Sequence, residues 1–275
     1  MPELPEVETI RRGLAGPIVG RTIRRVRIID PRVVKAPAPA EFVRLVTGRR
    51  IAGLRRRGKY LCLDLEPTGH LLVHLKMSGR LLHRRLSVKP GARVPAGLGH
   101  LLLFLDDGSL LYYHDTRRFG GFRYQAGDPF PALALGPEPL DPDFTPARWR
   151  RILAGRKARI KSLLLDQQAV AGLGNIYAAE ALFRAAIRPD RPAGSLSGAE
   201  AGRLYRSMRA VLKEALAAGG TSIQDYRQAD GRSGLFQVSL RVYGRRGEAC
   251  PCCGAPIEAC REGSRTTYFC PGCQH

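Results

Sequence analysis

The sequence predicts an α+β chain in which a β-sandwich comes first, helices follow, and a small cysteine-bearing β element closes the chain. Three observations predict this order. Short apolar runs of strand length fill the first 126 residues, the apolar period turns helical after a Pro/Gly-rich stretch, and six of the seven cysteines lie beyond residue 240. A chain of 275 residues is long enough for two ordinary domains with separate cores. The expected boundaries are 1–126 for the sandwich, 127–144 for a linker, 145–235 for the helical domain and 236–275 for the cysteine-bearing end.

The chain opens MPELPEVETIRRGL. Val7, Ile10 and Leu14 recur at helical spacing, and Gly16-Pro17 is expected to stop that helix. Glu3, Glu6 and Glu8 crowd its first turns. Two readings of these carboxylates stand open: they complement the helix dipole behind an N1 proline, or they carry acid–base chemistry. Strands follow. Leu61-Cys62-Leu63-Asp64-Leu65 alternates, Leu71 to Leu75 is an apolar run, and Leu101–Leu105 and Leu110–Tyr113 flank an Asp106-Asp107-Gly108 turn. GDPFPALALGPEPLDPDF (127–144) reads as the linker.

Thr145-Pro146 is a cap followed by an N1 proline and opens a helix through Trp149 and Leu153. A second helix is expected over roughly 157–167, a third after Gly172-Leu173-Gly174-Asn175 with Asn175 as a candidate N-cap, and a long one from Ser197 to Ala218, closed by Gly219-Gly220. In the last segment Cys250-x-x-Cys253, sixteen residues, then Cys270-x-x-Cys273 has four-thiolate zinc spacing. Four thiolates fill a tetrahedral shell and leave no position for a catalytic water, so one structural Zn2+ is expected. Cys252 and Cys260 read as spectators. Ile257-Glu258-Ala259 and Thr267-Tyr268-Phe269 read as a hairpin with Arg261 to Arg265 at its tip.

Charge narrows the function. Lys plus Arg number 45 against 24 Asp plus Glu, a net +21, which favours a polyanion partner, above all nucleic acid. Arg outnumbers Lys 38 to 7, which singles out Lys59, after Arg55-Arg56-Arg57-Gly58. No run of 18 apolar residues suggests a membrane span, and the acidic start is unlike a secretory signal, so a cytosolic protein is expected.

MPELPEVET, HLKMSGRL (74–81), DTRRFGG (115–121), GLGNIYAAEALF (172–183) and VYGRRG (242–247) before the paired cysteines resemble, in order, the bacterial formamidopyrimidine-DNA glycosylases. The resemblance implies an N-terminal β-sandwich, a helix–two-turn–helix domain and a C-terminal β-hairpin zinc finger. It also implies a bacterial, nucleoid-associated monomer that excises oxidised purines from double-stranded DNA and then cuts the strand. On that resemblance Pro2, freed by removal of Met1, is the nucleophile. An α-amine titrates near ~8 and a Lys amine near ~10.4, so more of it is a free base at neutral pH. Glu3 is the expected general acid, and Glu6 holds the sugar or a water. Lys59 and Arg265 are expected to move protons during β- and δ-elimination, and with His74 and Asn175 to pin the flanking phosphates. Arg117 and Arg156 match further DNA contacts. Met77, Arg117 and Phe119 match the wedge that fills the space left by an extruded base. Glu8 is read as a solvated helix carboxylate, and Lys161 matches a helix position of the family, with plain solvation as the alternative.

Two departures stand out. Leu98-Gly99-His100 keeps only the second member of the family's usual His-x-His pair, and Lys76 stands where Gly is frequent. The loop 221–234, which caps the flipped base in the family, is weakly patterned here. Two rival readings are a sister glycosylase for oxidised pyrimidines and a non-catalytic zinc-finger nucleic-acid binder.

Overall fold

The computed structural model describes residues 1–85, 97–222 and 227–275. These fall into two compact units, one of residues 1–133 with 218–235 and one of 134–217 with 236–275. No helix among the described residues is long and apolar enough to cross a membrane.

The first unit begins with helix α1 (Leu4–Ile18), whose Val7, Ile10, Leu14 and Ile18 are fully buried. Gly16-Pro17 does not stop it. A proline in the last turn forgoes only one ladder bond, and burial of Ile18 carries the helix past it. Next come β1 (Ile23–Ile28), β2 (Val34–Ala36), α2 (Pro39–Val46), β3 (Arg50–Arg57), β4 (Tyr60–Glu66), β5 (His70–His74), β6 (Gly79–Arg85), β7 (Leu101–Leu105), β8 (Ser109–Asp115) and β9 (Gly121–Gln125). They form a four-stranded sheet in the order β1-β7-β8-β6 and a five-stranded sheet in the order β2-β9-β5-β4-β3. Leu61, Leu63, Leu71 and Val73 of one sheet share a core with Leu101, Leu103, Leu111 and Tyr113 of the other, as the alternating pattern requires. The β7–β8 hairpin forms around Asp106-Asp107-Gly108, pairing Leu101 with Tyr113 and Leu103 with Leu111.

Residues 218–235 pack with this unit rather than with the helices that precede them. Ala229 joins its core, the Ala229 carbonyl accepts from the His83 N–H at 2.9 Å, and the Thr221 N–H donates to Glu6 Oε1 at 2.8 Å. Four residues of the expected capping loop, 223–226, lie outside the described residues.

In the second unit α3 (Pro146–Leu153) starts as expected, with Thr145 Oγ1 accepting from the Arg148 N–H at 3.2 Å. The next helix, α4 (Ile160–Leu165), is shorter than the sequence suggests. Residues 156–158 give their carbonyls to residues 193–194 instead of to a helix (Gly194 N–H to Arg156 O and Ala193 N–H to Ala158 O, both 2.8 Å). α5 (Asn175–Arg184) and α6 (Gly198–Ala217) follow, the latter opened by Ser197 and Glu200 bonding each other reciprocally. The chain closes with the hairpin β10 (Glu258–Glu262) and β11 (Arg265–Phe269). Glu262 pairs with Arg265, so the tip is only Gly263-Ser264, and Arg265 begins a strand instead of sitting at the tip.

Two buried ionisable side chains in this unit were not legible in the sequence. Glu180, fully buried on α5, accepts from the backbone N–H groups of Arg241, Val242 and Tyr243 and so fixes the VYG segment ahead of the cysteines. Lys161 on α4 is also fully buried, which removes plain solvation, the alternative to its match with a family helix position. Its Nζ donates to Thr267 Oγ1 at 2.6 Å and reaches the Thr266 carbonyl at 3.4 Å.

Candidate active site and nucleic-acid contacts

In the first unit Pro2 and Glu3 are buried at the start of α1, behind an exposed Met1. Glu3 takes the N-cap position, and Glu6 Oε2 accepts from the Glu3 N–H at 2.7 Å, as in a capping box. With Oε1 held by Thr221, both oxygens of Glu6 accept backbone hydrogen bonds, so this carboxylate fastens the helix start. Glu8 is not a solvated carboxylate. It is 8 % exposed and holds Arg11 and Arg12 of its own helix and, at 3.0 Å, Arg56 Nε on β3. Burial opposes the charged form, yet hydrogen bonds from the three arginines outweigh it and lower the carboxyl to about 2. Arg56 Nη1 then donates to the Gly58 carbonyl at 3.0 Å. Glu8 therefore ties α1, which carries Pro2 and Glu3, to the β3–β4 turn, which carries Lys59. Lys59 is itself buried, at 5 % exposure.

His74 ends β5 opposite Tyr60, with the rings edge to face at 4.4 Å. Its Nδ1 accepts from the Lys76 N–H at 2.9 Å, which leaves the ring proton on Nε2. Burial, with the charges of Lys76 and Lys59, pushes this imidazole down to about 3. His74 is thus a neutral hydrogen-bond donor at any physiological pH.

Met77 is 43 % exposed and Phe119 57 %, among the few large apolar side chains left outside the core. Arg117 is exposed beside them, its guanidinium 4.9 Å from the Phe119 ring centroid. Phe119 is therefore no core residue. Met77 lies in the β5–β6 connection and Arg117 and Phe119 in the β8–β9 connection, and both connections are held by Asp115, fully buried, which accepts from Ser78 Oγ (2.5 Å), the Gly120 N–H (2.8 Å), the Arg117 N–H (3.1 Å) and the Tyr113 hydroxyl (3.1 Å). A side chain at Gly79 or Gly120 would collide with that hydroxyl and with the carbonyl of Leu75, which is why each of the two connections ends in glycine. Sequence reasoning missed Asp115 as the organiser, although it begins DTRRFGG.

On the five-stranded sheet Cys62, Asp64 and His70 also gather their donor atoms within 4.8 Å. Arg55 grips both oxygens of Asp64 at 2.7 Å, and burial pushes the Cys62 thiol up to about 12. This group is a hydrogen-bonded fastening, with its ligand atoms already committed.

In the second unit Asn175 is the first residue of α5, and Gly174 takes the N-cap position. Its side chain turns instead to the hairpin: Nδ2 donates to the Thr266 carbonyl at 2.9 Å, and Oδ1 is buried with no hydrogen-bond partner among the described residues. Thr266 adjoins Arg265, which is exposed and lines a cavity of about 260 Å³ with Lys161, Ser162, Asp166 and Glu262. Asn175 and Arg265 are thus brought together by one backbone carbonyl. Arg156 is exposed after α3. Cys250, Cys253, Cys270 and Cys273 bring their sulfurs within 4.8 Å of one another, with Cys250–Cys273 at 3.8 Å and Cys253–Cys270 at 3.5 Å. A tetrahedron with ~2.3 Å Zn–S bonds has edges of about 3.8 Å, whereas a disulfide is about 2.05 Å, so the four fit a zinc ion. Cys252 and Cys260 are exposed outside the cluster.

Comparison with known proteins gives a consistent result. The model for the formamidopyrimidine-DNA glycosylase N-terminal domain matches residues 1–122, and that for the H2TH domain of the same enzyme matches residues 135–227. The formamidopyrimidine-DNA glycosylase of Heliobacterium modesticaldum is 48 % identical over the full length of both chains. The crystal structure of MutM (Fpg) from Thermus thermophilus superposes with a TM-score of 0.87 at 43 % identity, covering 99 % of this chain and 98 % of that one. The Fpg of Lactococcus lactis, in complex with DNA containing an abasic site, superposes at 0.89 with 37 % identity, covering 99 % of each chain.

Proposed function

The chain belongs to the formamidopyrimidine-DNA glycosylase family, and from that premise we propose that it excises oxidised purines, 8-oxoguanine and formamidopyrimidines, from duplex DNA and then cleaves the strand as an AP lyase. The supporting observation is the start of α1, where Pro2 and Glu3 are buried together and braced through Glu8 and Arg56 to the turn that carries Lys59. Removal of Met1 turns Pro2 into a secondary amine. Its nitrogen attacks the sugar C1′ and the base departs with a proton from Glu3; the amine proton passes to the ring oxygen as the C1′–O4′ bond breaks, leaving an iminium between Pro2 and the opened sugar. The iminium draws electrons from the sugar and permits loss of the 3′ and then the 5′ phosphate, with Lys59 and Arg265 moving protons. Glu6 keeps the helix start in place through its two backbone hydrogen bonds.

Met77, Arg117 and Phe119 enter the stack vacated by the flipped base, and Arg117 bonds the orphaned cytosine. His74, Arg156 and Asn175 hold phosphates; His74 does so as a neutral Nε2–H donor. Cys250, Cys253, Cys270 and Cys273 would hold one Zn2+, which keeps the hairpin bearing Arg265 in shape and takes no part in bond breaking. The enzyme works as a monomer in the bacterial cytoplasm, in base excision repair.

The test is borohydride trapping on duplexes carrying 8-oxoguanine, thymine glycol or no lesion. Wild type should be trapped on the first and far less on the second. A variant that retains Met1 or an N-terminal tag should fold and bind damaged DNA yet form no adduct. Full base excision by protein whose blocked terminus is verified by mass spectrometry would falsify the Pro2 assignment. Equal trapping on thymine glycol would move the enzyme to the pyrimidine branch.

A further inference from the structure

Lys76 stands between His74 and Met77 with φ of +51°, in the left-handed region that a side chain with a Cβ rarely occupies. A lysine kept in such a conformation points to a task for its side chain. Its backbone is already accounted for, because its N–H donates to His74 Nδ1. Its ammonium pairs with no carboxylate among the described residues, and it borders a cavity of about 300 Å³ with Lys35, Tyr60, His74, Phe119 and Arg123. The nearby Lys35 is committed, its Nζ donating to the carbonyls of Arg32 (2.8 Å) and Arg118 (3.1 Å). His74 carries no positive charge to offer a phosphate. The strand that accepts Met77 would therefore meet a neutral donor at His74 and an unspent cation two residues on.

We propose that Lys76 is a further DNA-binding residue, whose ammonium neutralises a backbone phosphate of the strand entered by Met77. This rests on the reading that the chain binds damaged duplex DNA. Ion pairing to one phosphate releases about one counterion, so it is read out in the salt dependence of affinity.

Lys76→Gly tests this cleanly, because glycine is at ease at φ of +51° and keeps the N–H that bonds His74. Binding to a duplex with a tetrahydrofuran abasic analogue is measured from about 50 to about 200 mM salt. Lys76→Gly should keep the wild-type circular dichroism and melting behaviour, and lower the slope of log K against log salt by about 0.9. Lys76→Arg should restore the slope. A Lys76→Gly slope equal to that of wild type would overturn the proposal, and so would an unchanged slope with a shifted binding-pH profile, which would make Lys76 only an electrostatic neighbour of His74. If wild type itself showed no steep slope, the reading of the chain as a DNA binder would fail first and this proposal with it.

Discussion

Asp115 illustrates how much a single buried side chain can arrange. Its two oxygens take four donors from three places in the chain, Ser78, Tyr113 and the loop residues Arg117 and Gly120, and the exposed side chains of Arg117 and Phe119 stand on that base. Such a carboxylate is held well charged: burial opposes ionisation, but the Ser78, Gly120 and Tyr113 hydrogen bonds outweigh it and lower its pKa. The side chains above it contribute nothing to the core, so they can be removed without unfolding the protein. Phe119→Ala and Met77→Ala should leave the melting temperature near wild type and weaken capture of an 8-oxoguanine duplex by about 1–3 kcal/mol, the usual worth of an aromatic stack on a base. On a pre-formed abasic site, where no base has to be extruded, the loss should be smaller. Equal losses on both substrates, measured by titration, would argue against a wedge.

At the level of elements, the β10–β11 hairpin is held from two sides. One side is the four-sulfur cluster; the other is the pair of helix residues Lys161 and Asn175, both bonded to the Thr266–Thr267 segment of β11. The buried Lys161 ammonium gains a hydroxyl and a carbonyl partner here, which offsets the cost of taking a charge out of water. The hairpin is too small to hold itself, since two isolated strands are at best marginal in water. Cys270→Ser should therefore release bound zinc, disorder the hairpin and abolish duplex binding, whereas Cys260→Ser should retain stoichiometric zinc and bind normally. Metal analysis and DNA titration on both variants decide the matter, and equal damage from the two would refute the ligand set.

The whole molecule carries a net charge of +21, so its compact state works against self-repulsion, and the few carboxylates that gather arginines matter more than their number suggests. Glu8 is the clearest case because it joins α1 to β3. Its carboxyl falls from an ordinary 4.5 to about 2 in the folded chain. A lowered folded pKa means that the stabilisation is fully present above the unfolded value of 4.5 and is lost as pH falls through that window toward about 2. Wild type should accordingly be more stable than Glu8→Gln at pH 6, and the gap in urea midpoint should narrow steadily below pH 4.5. A gap that stayed constant down to pH 3 would mean that the brace contributes packing alone.

Much of this architecture is legible in the sequence because it follows from local rules. Strand alternation at Leu61 to Leu65, the Asp-Gly turn, the Thr145-Pro146 helix start and the cysteine spacing all depend on neighbours within a few residues, and each appears where expected. The exposure of Phe119 was legible too, since Arg117, Arg118 and Gly120-Gly121 read as a loop around it. Other features were settled by partners far along the chain. Residues 156–158 give up helix for the 193–194 backbone, and Gly16-Pro17 stays helical because Ile18 has a core to enter. Glu8 reads in the sequence as a solvated carboxylate, no local pattern marks Asp115, Lys161 or Glu180 for burial, and only tertiary structure buries the four. A charge in the interior survives where distant donors or acceptors converge on it, and that convergence leaves no periodic trace in the chain.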